Sequence, residues 1–251
     1  MSASTGKIRK ILRAYLVKKL DGVILTNTEI VDWYNTHLKV ACTLLTFPII
    51  IDEEKYRLKL SKSITTANGI IEDFKLTDKR VLLFVGRLVT VKNLNTLIKV
   101  FNRVRTVNDV LVLVGSGYKE NELKTLVNTL QAKHHIIFAG RQEGNKLLGW
   151  YTATQLFILA SVSEAFGAVI NEALISGSKI LCSNLAGARC LINNDNGIIF
   201  NPYDEAEFAK TIKQGLALTQ PIHHITTLRP SLMDVTYNTT INNFIDKLQA
   251  I

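Results

Sequence analysis

Two glutamates that frame a seven-residue stretch are the acids in this sequence best suited to chemistry. Glu164 follows an apolar run that ends near Ser161, and Glu172 lies inside a helix that we predict to begin at Phe166 or Gly167. The spacing is a little over two helical turns, so both carboxylates can face one crevice from different depths. A carboxylate accepts two hydrogen bonds, as the adjacent hydroxyls of a ribose or hexose require, at roughly 1.5–3 kcal/mol each. Free N–H groups at the helix start would add a site for an anion or a hydroxyl-rich ligand.

Two cations form the second candidate group. Gly86 and Arg87 end the first strong apolar run, and Lys92 comes just before the next helical pattern. The guanidinium offers a planar fork and the ammonium a compact charge, a combination that suits a diphosphate. Judged separately, each pair of charges is more often a solvated surface feature than a ligand site. The argument therefore depends on whether the fold brings the two pairs together.

The elements that must position these residues form a regular series after Lys79. Helical patterns separate most of six short apolar runs, which are Val81–Val85, Val110–Val114, Ile136–Ala139, Leu156–Ala160, Lys179–Cys182 and Gly197–Phe200. Apolar strands without alternation are buried on both faces, and alternation of strands with helices implies parallel crossovers. The predicted fold class is therefore α/β, a doubly wound, Rossmann-like parallel sheet. Ligands in such sheets bind beyond the carboxyl ends of the strands.

The first fifty residues are organised differently. Helical patterns over 8–20 and 28–38 surround a short apolar run at Gly22–Leu25, and Pro48 makes the stretch 44–51 an edge strand or an extended crossover. Residues 52–78 are polar, and Asn68–Gly69 predicts a turn. We predict three parts: residues 1–52, a nucleotide-binding domain over 53–220, and a C-terminal crossover and helix over 221–251.

Charge is concentrated at one end of the chain. The net charge is +9, and six basic residues within the first twenty leave 9 − 6 = +3 for the other 231. This argues against a nucleic-acid surface, for which no motif is present. For the amphipathic pattern over residues 7–20 we favour packing of its apolar face on the protein; the alternative is contact with an anionic membrane surface.

No apolar run reaches the roughly 18 residues that span a bilayer. Three widely spaced cysteines, Cys42, Cys182 and Cys190, predict neither a disulfide framework nor a zinc site, and they fit a reducing cytoplasm. We therefore expect a cytoplasmic protein, with peripheral contact at the inner membrane surface as the alternative.

Several motifs in a fixed order resemble the GT-B glycosyltransferases often called group 1. The Gly86-Arg87-Leu88…Lys92 loop and the Glu164…Glu172 segment resemble the donor-binding motifs of that family. The likeness covers about residues 79–201. Further motifs stand in the expected order, at Val114–Gly117, Ile137–Gly140 and Asn196–Pro202. The resemblance implies transfer of a sugar from a nucleotide-diphosphate donor to a glycan, lipid-linked or other cell-envelope acceptor, with retention of configuration and without a metal or other cofactor.

The resemblance also implies roles for individual residues. Arg87 and Lys92, next to Gly86, would neutralise the diphosphate and its leaving-group charge, and Glu164 would contact sugar hydroxyls while Glu172 accepts from the ribose. Arg87, Lys92 and Glu164 are the predicted catalytic residues. Other implied donor contacts are the backbone amides of Phe166, Gly167 and Ala168 and the base-side residues Gly140 and Arg141.

The sequence departs from the family pattern in two regions. Ala186-Gly187-Ala188-Arg189-Cys190 stands where the family often has a Gly-Gly loop followed by an acid. Residues 8–51 resemble only the last part of a family first domain, so a companion chain or a longer parent protein would supply most of the acceptor half. The alternative is a truncated, non-catalytic nucleotide-sugar-binding protein or the donor-binding subunit of a split enzyme. No histidine is assigned a role.

Overall fold

The computed structural model describes residues 7–38 and 41–250, with the side chains of residues 7–10, 13 and 29 left out. The strands are β1 (Gly22–Leu25), β2 (Thr43–Thr46), β3 (Arg80–Val85), β4 (Asp109–Val114), β5 (Ile136–Gly140), β6 (Leu156–Leu159), β7 (Lys179–Ser183) and β8 (Gly197–Phe200). The helices are α1 (Lys7–Val17), α2 (Thr28–Leu38), α3 (Glu53–Lys62), α4 (Ile64–Asp73), α5 (Leu94–Val104), α6 (Glu120–Thr129), α7 (Gly144–Ala153), α8 (Val169–Ile175), α9 (Glu205–Ala217) and α10 (Tyr237–Gln249).

Six strands form one parallel sheet in the order β5-β4-β3-β6-β7-β8. The six apolar runs of the sequence are these six strands, which confirms the predicted doubly wound fold. The order reverses between β3 and β6, because the chain leaves β3 towards β4 and β5 and returns beside β3 as β6. Such a reversal opens a crevice at the carboxyl ends of the two central strands.

Both faces of this sheet are covered by helices, which explains why its strands lack alternation. Leu82 and Phe84 belong to a buried cluster with side chains of α5, α6 and α9. Leu83 is equally buried and points to the opposite face, since side chains alternate along a strand. On that face Tyr151 of α7 packs against Phe157 of β6, with ring centroids 6.1 Å apart. The layers place the loops after the strands at one edge.

The described chain divides into two compact units, residues 1–52 with 235–251 and residues 53–234. In the smaller unit β1 and β2 form a two-stranded parallel sheet, and Phe47 packs against Phe244 of α10 with centroids 4.8 Å apart. Its core is small, formed by Val17, Leu25, Tyr34 and Leu38. The segment 221–234 belongs to the larger unit, and only α10 and the chain ends join the first fifty residues.

The apolar row of α1 is not packed as the sequence predicted. Ile11, Leu12, Tyr15 and Leu16 are 53–69% exposed, while Val17 is buried. The favoured packing interpretation is therefore wrong for this row in the described structure. Within the described residues no helix is long and apolar enough to cross a membrane.

Two local predictions also need correction. The pair Asn68–Gly69 lies inside α4, because the Asn68 side chain pairs with the backbone of Ile225, donating to its carbonyl and accepting from its amide at 2.9 Å each. The helix expected from Phe166 or Gly167 begins at Val169. Gly167 has φ +98°, a left-handed conformation that cannot be part of a right-handed helix.

The segment 222–232 binds the far end of the larger unit together. Ile222 exchanges backbone hydrogen bonds with Asp78 and Lys79 at 2.9 and 2.8 Å. The guanidinium of Arg229 donates to carbonyl oxygens at the ends of α7 and α8, which are those of Tyr151, Thr152, Thr154 and Ser176. Burial lowers the pKa of Arg229 to about 10, so it stays charged at neutral pH. Its charge lies at two helix C-termini, the ends that favour a cation.

Candidate functional site

The loops that follow β3 and β6 meet at the carboxyl edge of the sheet. The Val162 amide donates to the Val91 carbonyl at 2.9 Å, joining the two loops directly. Beside this bond, the Lys92 ammonium contacts the Glu164 carboxylate, and their side chains are only 14% and 18% exposed. Ser161 Oγ, also on the β6 loop, donates to the same carboxylate at 3.4 Å. A predicted cation and a predicted acid thus lie together at the point where the strand order reverses.

Lys92 is held by a short turn and by the residue that follows it. Residues Thr90–Lys92 form one turn of 3₁₀ helix, and Asn93 adopts a left-handed conformation with φ 56° before α5 begins. Asparagine tolerates this conformation better than most residues. The Asn93 side chain donates to the Pro202 carbonyl at 3.3 Å, so the loop after β8 also supports the turn.

Glu164 is held by its own backbone. It forms an isolated parallel bridge with Ala186, and its carbonyl accepts from the Gly187 amide at 3.2 Å. The Phe166 carbonyl accepts from the Ala188 amide at 2.7 Å. The unusual loop 186–190 therefore supports the acid loop through backbone atoms, which depend little on the identity of its side chains.

The amides of Phe166, Gly167 and Ala168 precede α8 in the chain. Among the residues that the structure describes, none of the three donates to a backbone carbonyl. The helix they precede has only seven residues, so the local arrangement of the loop, more than a helix dipole, directs these groups.

A cleft of ≈ 440 Å³ adjoins the first loop and extends over β4 and β5. Its lining includes Gly86 and Arg87 after β3, Ser116 after β4, and Arg141 and Gln142 after β5. Arg141 forms an ion pair with Glu143 at 2.5 Å in which both side chains are largely exposed. Three successive strands thus present polar groups to one cleft, with Arg87 at its β3 side.

Glu172 lies in α8 beside two tyrosines of neighbouring helices. Burial raises the pKa of the Glu172 carboxyl, and a long hydrogen bond from Tyr151 lowers it in part. Burial, followed by the Glu172 charge, raises the pKa of both Tyr151 and Tyr56. The Tyr151 hydroxyl is completely buried, and among the described residues none, Glu172 included, meets the geometry of a full hydrogen bond with it, so Glu172 is its polar neighbour at longer range. Glu172 is therefore held where its charged form is disfavoured, as is frequent at functional sites.

Two of the three cysteines, Cys182 and Cys190, lie near this region. Burial raises the pKa of the Cys182 thiol to about 12, which keeps it protonated and unreactive. Cys190 is exposed. Among the described residues no group of three or more His, Cys, Asp or Glu side chains is arranged to hold a metal ion.

The structure brings some of the predicted site residues together and gives others different neighbours. Lys92 contacts Glu164, while Gly86, Arg87 and Arg141 line the adjoining cleft together. Gly140 ends β5, and its carbonyl accepts from the Gly115 amide at 2.8 Å. Glu172 interacts with Tyr151 and Tyr56, and no contact with Lys92 or Glu164 is described.

Sequence reasoning missed the roles of several polar residues in the same loops. In the sequence, Ser161 stands out only as the end of an apolar run and Ser116 only within the motif Val114–Gly117, and no role is assigned to Gln142, Thr90 or Tyr118. Their position in the loops that follow strands of the parallel sheet was the available signal. Residue type alone was too common to raise them above the surface background.

Known proteins are similar to this chain over the same region. The family model described as "Glycosyl transferases group 1" matches residues 70–225. An uncharacterized glycosyltransferase of Methanocaldococcus jannaschii is 32% identical over 127 residues, which cover 50% of this chain and 33% of that protein. The alpha-monoglucosyldiacylglycerol synthase of Streptococcus pneumoniae is 26% identical over 249 residues, covering 94% of this chain and 54% of that protein. The chain thus spans about a third to a half of these relatives.

Solved structures show the same fold at lower identity. The Anabaena HepE protein in complex with UDP superposes with a TM-score of 0.78 at 17% identity, covering 99% of this chain and 69% of that chain. Sucrose-phosphate synthase from Thermosynechococcus elongatus gives 0.70 at 20% identity, covering 87% and 55%. These likenesses support the sheet order and the helical layers described above.

Proposed function

The chain belongs to the glycosyl transferases of group 1, and on that premise we propose that its larger unit binds a nucleotide-diphosphate sugar as the donor. The reaction is transfer of the sugar to an acceptor with retention of anomeric configuration. The chain's own cations take the part that a metal plays in other phosphate sites. The proposed reaction uses no cofactor.

The observation that carries this proposal is the Lys92–Glu164 contact at the switch between β3 and β6. The two side chains are close enough that one ligand can bridge them, with phosphate oxygens on Nζ and sugar hydroxyls on the carboxylate. Donor binding would divide the ion pair, so that each charge gains a ligand partner in place of the other. A molecule with a hydroxyl-bearing group next to a phosphate offers both kinds of partner.

Other residues extend the ligand in two directions. Arg87 shares the diphosphate with Lys92 and stabilises the charge that develops on the leaving group. From there the cleft beyond Gly86 takes the nucleoside, with Gly140 and Arg141 on the base side. The amides of Phe166, Gly167 and Ala168 donate to sugar and phosphate oxygens, and Glu172 accepts from the ribose. Arg87, Lys92 and Glu164 are the residues to which we assign catalysis.

The smaller unit would contribute to binding of the acceptor. One relative transfers to an undecaprenol diphosphate-linked sugar, judging by its name, "N-acetylgalactosamine-N,N'-diacetylbacillosaminyl-diphospho-undecaprenol 4-alpha-N-acetylgalactosaminyltransferase" from Campylobacter jejuni; it is 31% identical over 147 residues, which cover 58% of this chain and 38% of that protein. We accordingly propose a glycan or lipid-linked acceptor of the cell envelope. Residues 1–52 correspond to part of an acceptor-side domain, and a companion chain or further chain segment completes it. The proposed location is the cytoplasm, with residues 7–20 available for contact with the inner membrane surface.

Titration with UDP, GDP and ADP tests donor binding. We expect one of the three to bind with a Kd in the micromolar range, and Arg87→Ala to weaken that binding at least 10-fold, because a bidentate cation–phosphate contact is lost. Arg103→Ala is the matched control, since Arg103 makes exposed contacts with the carboxylate and the backbone carbonyl of Glu205, away from the cleft lining. The proposal is overturned if no diphosphate binds, or if both alanine variants bind it as the wild type does.

A further inference from the structure

Tyr118 is an exposed tyrosine whose hydroxyl is nevertheless engaged. It follows β4 in the loop 115–119, and 73% of the residue is exposed to solvent. Its Oη accepts from the Thr90 amide at 3.2 Å and lies 2.9 Å from Thr90 Oγ1. Burial contributes little for a ring in this position, so the hydroxyl is its main structural contact.

The Tyr118 hydroxyl extends a backbone contact between two loops of the site. The Leu88 amide donates to the Ser116 carbonyl at 2.9 Å, and the Lys119 amide donates to the Leu88 carbonyl at 3.1 Å. The loops lie so close that a Cβ on Gly117 would be 2.3 Å from the Leu88 oxygen. These bonds join the loop after β3 to the loop after β4 at Leu88. The Tyr118 hydroxyl adds a contact at Thr90, where the turn that ends in Lys92 begins.

Charge adds to the hydrogen bonds. The pKa of Tyr118 is lowered, first by the hydrogen bond from the Thr90 side chain, then by the Thr90 amide, and further by the charges of Lys119 and Arg87. The Tyr118 oxygen therefore lies within the field of Arg87 while it is bonded to the turn that carries Lys92. One group is thus linked to both cations of the site.

We propose that Tyr118 is a positioning residue for the diphosphate site. Its hydroxyl fixes the turn Thr90–Lys92 against the β4 loop, so that Lys92 and Arg87 converge on the same pair of phosphates. We call the Tyr118–Thr90 contact the tyrosine latch. The inference rests on the donor site proposed above and adds to it a residue that touches no substrate.

The experiment compares Tyr118→Phe with wild type in titrations with UDP, GDP and ADP and with the three corresponding monophosphates. We expect the variant to bind the preferred diphosphate about 3- to 10-fold more weakly, the effect of one lost hydrogen bond. Binding of the monophosphate should change less than 2-fold, because the latch aligns two cations on two phosphates. Tyr203→Phe is the matched control, since Tyr203 is 71% exposed and no hydrogen bond of its hydroxyl is described in the structure.

A second substitution tests the latch from its other side. Thr90→Val removes Oγ1 and should weaken diphosphate binding like Tyr118→Phe, the double variant should be little weaker than either, and Thr90→Ser should restore binding. Equal loss of mono- and diphosphate affinity, unchanged affinity, or additive effects would overturn the latch while the donor site stands. Failure of the wild type to bind any diphosphate would instead overturn the donor site and the latch with it.

Discussion

At the scale of single residues, the Lys92–Glu164 pair shows how a charged site can be built into a packed protein. Both side chains are mostly buried, and each charge offsets part of the other's cost of leaving water. Removing either one leaves an uncompensated buried charge, so a substitution at Lys92 or Glu164 would combine lost ligand contact with lost stability. Arg87 lines the cleft without a described ion-pair partner, which makes it the cleaner probe of ligand binding.

Glu172 provides a pH-dependent prediction at the same scale. Burial raises the pKa of its carboxyl, so the folded chain holds a proton that the unfolded chain has already lost. The stability cost is absent below the ordinary pKa of about 4.3 and grows as pH rises from there towards the folded pKa. Glu172→Gln removes the ionised form. We expect a higher melting temperature than wild type near pH 7.5, with the difference closing near pH 4, as measured by thermal unfolding at both values.

Exposed Glu207 supplies the control for this prediction, and Glu207→Gln should give no such gain. If Glu172 accepts from the ribose as proposed, the stabilised Glu172→Gln variant should also bind the nucleoside diphosphate more weakly. A variant that is no more stable than wild type near pH 7.5 would show that the carboxylate carries no burial cost.

At the scale of secondary-structure elements, Arg229 joins the ends of α7 and α8. Its guanidinium donates to four carbonyl oxygens, and the Arg229 carbonyl accepts from the Arg57 side chain at 3.1 Å. Arg229→Met should lower the free energy of unfolding by about 2–4 kcal/mol, because several buried carbonyls lose a charged donor. Urea denaturation of the purified variant measures this loss. Arg103→Met should change stability by less than about 0.5 kcal/mol, since the ion pair and the backbone hydrogen bond of Arg103 with Glu205 are both exposed. A similar small change at Arg229 would contradict the assigned role.

The elements also show what the sequence could and could not predict. The six strands were predictable because each is an unbroken apolar run buried on both faces. The start of α8 was not, because Gly167 adopts a left-handed conformation, which its residue type permits but does not require. The predicted turn at Asn68 was wrong for a reason that is distant in sequence. The Asn68 side chain pairs with the backbone of Ile225, more than 150 residues away. Local sequence patterns predict that a helix or strand exists, whereas contacts with residues far away in the chain determine where it begins and ends.

The same limit applies to the candidate site. Family resemblance pointed to Lys92 and Glu164, and the fold places them in contact. The tyrosine latch could not be predicted from the sequence, because it depends on which residue of a neighbouring loop lies next to Tyr118. The roles of the remaining predicted residues stay predictions for the binding experiments.

At the scale of the whole molecule, the exposed apolar row of α1 combines with the basic residues of the first twenty positions. Ile11, Leu12, Tyr15 and Leu16 are more than half exposed, and the sequence around them holds six basic residues and no acid. An apolar face with basic flanks binds anionic bilayer surfaces. We expect the protein to sediment with vesicles of phosphatidylcholine and phosphatidylglycerol but only weakly with phosphatidylcholine alone.

Substitution of the row tests this expectation. Leu12→Ser together with Leu16→Ser should reduce sedimentation with the anionic vesicles several-fold, because the apolar contribution is lost while the charge is kept. Leu248→Ser, on the partly exposed face of α10, is the matched control. Equal sedimentation of all three proteins would show that the row does not meet the lipid and leave it to a protein partner.

The strand order described for the larger unit has a consequence for how the protein reaches its native state. Neighbours β4 and β5 follow β3 within one or two crossovers, whereas β6 pairs with β3 only after the 70 residues 86–155. Closing so long a segment has a larger entropic cost than the pairing of β3 with β4, and pairings between residues distant in sequence form slowly. Because Lys92 lies on one side of this seam and Glu164 on the other, neither half of the chain contains the site by itself. If this site binds the donor as proposed, binding therefore requires that the pairing of β3 with β6 has formed.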